Sequence, residues 1–140
     1  MDSKIALIER ALLSRCFEMV VRQNVCPNTP RSEMMQILEY CHEKGWLYTN
    51  PKANAFVCCY KIPKVDEKYD KELPKEESGE ILYVNFAVTD ESDSKTLLKI
   101  LRGYLLNNPE VKEMVYYRRG SDTDFKHIYL RRNENEKQVA

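Results

Sequence analysis

Apolar positions along the chain change their period twice. From residue 3 to 24, Ile5, Ile8, Leu12, Cys16, Met19 and Val20 recur at three- and four-residue steps, with Glu9, Arg10, Arg15, Glu18 and Arg22 mostly between them. That spacing predicts an amphipathic helix. The segment CPNTP interrupts it, because Pro27 and Pro30 cannot continue a helix interior. Thr29 then reads as an N-cap with Pro30 at the first helical position. A second helix runs through MMQILEYCHEKG with Met34, Ile37, Leu38 and Cys41 inward, and Gly45 is placed to end it in a left-handed cap. The methionine pair reads as core filling.

Beyond Gly45 the period becomes extended. GWLYTN reads as a short strand or turn, and AFVCCYKI, residues 55–62, as a strand rich in aromatic and β-branched side chains. Residues 63–80 are charged and broken by prolines, which predicts a long exposed loop. ILYVNFAV, residues 81–88, is almost unbroken in apolar character and predicts a central strand covered on both faces. A helix follows over residues 94–106, with Asp90, Ser92 and Asp93 as capping candidates and Leu97, Leu98, Leu101, Tyr104 and Leu105 as its buried stripe. VKEMVYYRR reads as the next strand, GSDTDF as a turn, and KHIYLRR as the last strand. Strand, helix and strand over this length predict a βαβ unit with parallel strands. Together these elements predict an α/β layered fold with a mixed sheet, two N-terminal helices and a C-terminal βαβ-β unit.

Composition narrows the function classes. At 140 residues and 43% apolar, the chain is long enough for one domain with a real core. Lysine plus arginine equals aspartate plus glutamate, 22 against 22, so the overall charge gives no reason to expect tight nonspecific binding to nucleic acid. The cluster Arg118, Arg119, Arg131 and Arg132 reads as exposed strand positions. No apolar run is long enough for a membrane span, and the first residues lack the pattern of a signal peptide. The five cysteines have no paired spacing, which predicts reduced thiols and a cytoplasmic setting. Adjacent Cys58 and Cys59 should face opposite sides of their strand. A metal site from Cys41, His42 and Cys58 lacks the C-x-x-C spacing that would recommend it.

The order ILYVNFAV, helix, EMVYYRR resembles the core of the GNAT-type acyltransferases. In that family a central strand leads to a helix whose N-terminal loop holds the cofactor pyrophosphate. The resemblance implies one GNAT-like domain over residues 1–132, with 133–140 a polar tail. The chain is also similar to small divergent GNAT-like proteins carried by bacteriophages, some of which are non-enzymatic virion parts; that likeness implies a host-cytoplasm or virion location.

The family's arginine or glutamine followed by a G-x-G or G-x-A turn lets backbone amides approach the pyrophosphate. Here the matching region is TDESDSKTLLKI, where Thr96 and Leu98 stand near the glycine positions. Asp90, Glu91 and Asp93 add negative charge where an anion should sit, with Lys95 the compensating cation. If acyl-CoA binds at all, the resemblance places it against Val88, Lys95 and Thr96; otherwise no cofactor is expected. If the chain is an enzyme, His127, Tyr129 and Tyr117 are the catalytic candidates, as base or as donor to the leaving thiolate. Strand alternation instead makes His127, Tyr129 and Arg131 a solvated face opposite Ile128 and Leu130. His42, at a helix end, reads as a dipole partner.

The absent phosphate cradle favours a non-catalytic interaction or assembly protein on a GNAT-like scaffold. Its docking surface would be Tyr116, Tyr117, Arg118, Tyr129 and Arg131, residue types common in interface anchors, and its partner another protein or a second copy. One alternative is an N-acyltransferase with a degenerate cofactor loop. Another is a winged-helix nucleic-acid binder, with the second helix as recognition helix and residues 45–62 as the wing; the neutral charge speaks against it.

Overall fold

The computed structural model describes residues 6–7, 10–25, 29–66, 72–90, 95–117 and 125–130. Six strands form one sheet in chain order: β1 (Ala6–Leu7), β2 (Leu47–Thr49), β3 (Ala55–Ile62), β4 (Ile81–Thr89), β5 (Glu113–Tyr117) and β6 (Phe125–Tyr129). Neighbours are antiparallel except β4 and β5, which are parallel. Helix α3 (Lys95–Asn107) connects that parallel pair, as a crossover of this length must. Helices α1 (Leu13–Arg22) and α2 (Arg31–Lys44) precede the main strands.

Alternation along β3 builds a core on each face of the sheet. Phe56, Cys58, Tyr60 and Ile62 point into a cluster with Leu13, Cys16, Met19 and Val20 of α1 and Met34, Leu38 and Cys41 of α2. Ala55, Val57 and Cys59 point the other way, toward Leu97, Ile100 and Tyr104 of α3. Cys58 and Cys59 therefore face opposite sides, as period-two geometry requires. Strand β4 is buried on both faces too: Ile81, Tyr83, Phe86 and Val88 meet the α1/α2 cluster, while Leu82 and Val84 meet α3.

Several sequence expectations shift. The first helix starts at Leu13, not residue 3: a 3₁₀ turn, Arg10–Leu12, precedes it, and Ala6–Leu7 pair with Thr49 and Tyr48 as an edge strand. Over so few residues, apolar spacing does not separate strand from helix. Pro30, rather than Thr29, is the N-cap of α2, and its carbonyl accepts from Glu33 and Met34 at 3.0 and 3.1 Å. Gly45 ends α2 in the left-handed region at φ 77°, as predicted. On α3 the buried stripe is Leu97, Ile100, Gly103 and Tyr104. Leu98 is 59% exposed and Leu101 and Leu105 are half-buried, because α3 lies over β3 and β4 with that side turned outward.

The long connection is not wholly exposed. Leu73 packs against the α1/α2 core, and the Tyr40 hydroxyl donates to the Pro74 carbonyl at 2.7 Å. The Lys44 ammonium donates to the Lys75 carbonyl, and the Lys61 amide donates to Glu77 Oε2 at 2.9 Å. These bonds hold residues 72–80 along α2 and the end of β3.

Candidate functional site

Pairing between β4 and β5 covers only the first part of β4. Ile81, Leu82, Tyr83 and Val84 match Glu113, Met114, Val115 and Tyr116, and there the ladder ends. β4 continues to Thr89, paired on its other side with β3 all the way to Ala55. Strand β5 turns its remaining pairing toward β6, with Tyr117 opposite Phe125. Residues 85–88 of β4 therefore have no strand partner on the β5 side among the described residues, while the Thr89 carbonyl is taken by Gln23. Strand backbone left unpaired in this way is a template for another extended chain. The gap lies at the carboxyl end of a parallel pair, where open sheets leave a crevice for ligands.

A β-bulge marks the point where the strands part. Cys58 pairs with Phe86 and the next residue, Cys59, with Val84, so Asn85 is an extra residue on β4. The insertion resets the alternation, which is why Phe86 and Val88 join Ile81 and Tyr83 on the α1/α2 side. Asn85 is half-buried, and its Nδ2 donates to the Tyr60 hydroxyl at 3.1 Å. Burial pushes the Tyr60 phenol far above its usual pKa, with the nearby Cys58 thiol adding to the rise and the Asn85 hydrogen bond opposing it. The ring is fixed by aromatic contacts. It lies 4.7 Å from Trp46 and stacks on Tyr83 at 5.6 Å and 9°, while Tyr40 meets Trp46 edge-on at 5.9 Å.

The far end of β4 is tied down by α1 and the β2–β3 turn. Gln23 Nε2 donates to the Thr89 carbonyl at 2.6 Å, and Arg22 forms an ion pair with Asp90. Thr89 Oγ1 and the Asp90 amide both donate to the Asn54 carbonyl, at 2.9 and 3.2 Å. The Asp90 carboxylate, which by sequence would oppose an anion, thus carries its own counter-ion.

No protein-family model matches the sequence, and no curated protein matches it significantly. Solved structures do match in shape. One is a Staphylococcus aureus Mu50 protein assigned as an acetyltransferase, with TM-score 0.56, 13% identity, and 80% of this chain aligned to 77% of that one. Another is an N-acetyltransferase of the same strain, with TM-score 0.51, 15% identity, and 80% of this chain aligned to 79% of that one. The chain has a GNAT-like fold. The expectation of a non-catalytic interaction or assembly protein is corrected here, because the structural neighbours are named acetyltransferases. The winged-helix alternative also falls, since α2 is packed on a six-stranded sheet and the expected wing is the interior of that sheet.

Within the GNAT-like sheet the residues singled out from sequence do not form one cluster. Val88 is fully buried toward α1 and α2, so only its backbone faces the gap. Lys95 and Thr96 are the first residues of α3, exposed and half-buried respectively. His127 and Tyr129 are exposed on β6, their rings stacked at 4.6 Å, and His127 Nε2 lies 2.6 Å from Glu113 Oε1. Through the register, His127 stands opposite Val115, which pairs with Tyr83. That places it two strand spacings, roughly 10 Å, from β4.

Tyr117 is the last residue of β5, at the mouth of the gap. Tyr116 packs toward α3, whereas Tyr129, opposite Glu113, is on the other face. The expected docking surface is therefore split by strand alternation; Arg118 and Arg131 lie outside the described residues. Ile128 does not enter a core, being 38% exposed on the α3 side of β6. Cys41 and Cys58 are buried with their thiols in contact, and His42 Nδ1 is buried without a partner among the described residues. No group of three potential ligand residues among the described residues is arranged for a metal ion. Among those residues, no helix is long and apolar enough to cross a membrane.

Asn85, Tyr60, Arg22 and Glu113 were not reached by sequence reasoning. The signal for Asn85 was present: it is the single polar residue inside ILYVNFAV. Nothing local marks the others, whose partners are distant in the chain.

Proposed function

We propose that the protein is an N-acyltransferase that takes its acyl group from acyl-coenzyme A and passes it to an amine. The observation that carries this reading is the gap beside β4. A parallel pair that separates after Val84 and Tyr116 leaves residues 85–88 without a strand on that edge among the described residues, ahead of α3 in the chain. The pantetheine arm of coenzyme A is an extended chain with two amide groups, so it can pair with that edge as a short strand would. The named activities of the structural neighbours support the same reading.

The phosphate end departs from the family's glycine pattern, and the residues present still offer positive charge. Lys95 stands on the first turn of α3, whose backbone dipole favours an anion. Arg22 offsets Asp90 nearby. Among the catalytic candidates, Tyr117 stands at the mouth of the gap and is the one to protonate the departing thiolate. His127, steadied by Glu113 and Tyr129, lies on the α1/α2 side, where an incoming amine would be met.

Calorimetric titration with acetyl-CoA and with a long-chain acyl-CoA tests the reading. Binding at micromolar concentration is expected for at least one of them. Absence of heat and of thermal shift with both at millimolar ligand would sink it.

A further inference from the structure

The two faces of β5 and β6 are unlike. Toward α1 and α2 they present Glu113 and His127, paired with one another and partly in water. Toward α3 they present Met114 and Tyr116 on β5 and Ile128 and Leu130 on β6, placed there by register and alternation. A polar face can stay wet, whereas an apolar one calls for a cover. Helix α3 covers β3 and β4, and no helix among the described residues packs on β5 or β6 to a like extent. Ile128 is left 38% exposed.

The flank of α3 beside this strip is apolar too. At about 3.6 residues per turn, Leu98, Leu101 and Leu105 fall on one side of the helix, and a right-handed crossover turns that side toward β5. Leu98 is 59% exposed, while Leu101 and Leu105 pack partly into the cluster that also takes Met114, Tyr116 and Leu130. Helix and strands thus form the wall and floor of an apolar groove. Its floor is two strands wide, roughly 10 Å, and lies about one helix diameter below the outer side of α3. Those are the dimensions of a single helix laid beside α3.

Charge around the groove has one sign. Helix α3 carries Lys95, Lys99 and Arg102 and no acidic residue. Lys126, opposite Tyr116 on the outer strand, adds a cation on the far side. Glu110, in the turn from α3 to β5, is already paired with Lys61 at 2.7 Å. A second copy docked through the same face would set like charges against each other. A bilayer is flat, and would meet Leu98 and Leu106 without reaching Ile128 on the floor. An acidic helix meets both the shape and the charge.

We propose that this groove is a docking site for an amphipathic helix of a partner protein, its apolar side chains against Met114, Tyr116 and Ile128 and its acidic ones toward Arg102 and Lys126. The site is additional to the coenzyme gap, and its test does not depend on acyl-CoA.

The test uses a fluorescent designed helix of about 18 residues, with leucine along one face and glutamate on both flanks, and reads its anisotropy against the whole protein. Saturable binding at micromolar protein is expected at low salt, weakening several-fold at about 0.5 M NaCl. The same peptide with lysine in place of glutamate should bind at least about tenfold more weakly. Ile128→Glu and Leu98→Glu, both at exposed positions, should each lower affinity for the glutamate peptide by about tenfold or more and leave the thermal midpoint nearly unchanged. If I128E does not fold, L98E decides. Equal binding of the two peptides, wild-type affinity in the folded variants, or no binding of the glutamate peptide at about 100 µM protein each overturns the proposal. So does a dimer, seen by sedimentation of the protein alone, that I128E dissolves, because a second copy then fills the groove. Binding to phosphatidylserine vesicles that L98E abolishes, with none to the peptide, overturns it in favour of a membrane surface.

Discussion

The two edges of β4 receive different treatment. Along β3 it is paired through eight residue positions from Ile81 to Thr89, interrupted only by the bulge. Along β5 it is paired through four and then left open. The β3 side carries the largest buried rings and both cores, so its sequence is dictated by packing. The open side begins at the bulge, where the polar Asn85 stands among apolar residues, while Phe86 and Val88 beyond it stay in the core. Stability is thus carried along one edge of the strand, and the proposed chemistry lies along the other.

The largest effect should come from the closed edge. Phe56 is fully buried between the sheet and the N-terminal helices. Phe56→Ala should cost about 3–5 kcal/mol, read as a lower urea midpoint with unchanged slope. Tyr116→Ala, on half-buried β5, should cost less than half as much. Equal losses would show that the β4–β5 side is as much a packing element as the β3 side, and the contrast would fail.

Next in size is the turn that leads into β4. Gly79 has φ 92°, and a Cβ there would meet the Ile62 carbonyl oxygen and Pro63 Cα, each at 2.5 Å. Both obstacles are backbone, so Gly79→Ala should destabilise by about 2 kcal/mol or more. A smaller loss would mean that the β3–β4 connection gives way more easily than its tight register implies.

How much of this was legible beforehand follows the same division. AFVCCYKI and ILYVNFAV announced themselves as strands because a side chain's face is decided by its immediate neighbours. Gly45 announced the end of α2 because the left-handed cap is a local demand. Leu98 misled, since a leucine at helical spacing looks the same whether or not a sheet lies beneath it. The start of the first helix misled because Ala6 and Leu7 are strand only through Thr49 and Tyr48, more than forty residues away. The site was least legible. Tyr60 meets Asn85, and Arg22 meets Asp90, through sheet register and helix placement, quantities no window of sequence contains.

Alkaline pH should weaken the closed region first. Burial raises the Tyr60 and Tyr104 phenols and the Cys58 and Cys59 thiols well above their usual values. In the unfolded chain these groups lose protons in the ordinary thiol and phenol range, near pH 8.5 and 10, while in the folded protein they keep them. The folded state then holds more protons, so stability is fully present below that range and falls as pH rises through it toward the folded values. Tyr104→Phe should remove one such group and flatten the decline above pH 10 by about 1.4 kcal/mol per pH unit. Denaturant titrations across pH 7 to 11 measure it. An unchanged slope would place Tyr104 outside the closed region.

The smallest effect belongs to the open end. Arg22 pairs with Asp90 where β4 ends and the connection to α3 begins, and both side chains are largely in water. A pair so exposed contributes little to folding, so Arg22→Ala should leave the thermal midpoint nearly unchanged. Its effect should appear in binding. Without the guanidinium the Asp90 carboxylate is uncompensated beside the phosphate end of the proposed coenzyme site, and like charge repels. Acetyl-CoA affinity should fall by about threefold at low salt, a difference that screening at high ionic strength should largely erase. Asp90→Asn in the same background should restore affinity, because it removes the charge that Arg22 offsets. Loss of stability instead of affinity would move Arg22 to the closed side of the comparison. Loss of affinity that salt does not touch would mean that the side chain contacts the ligand by shape and hydrogen bonding rather than through charge.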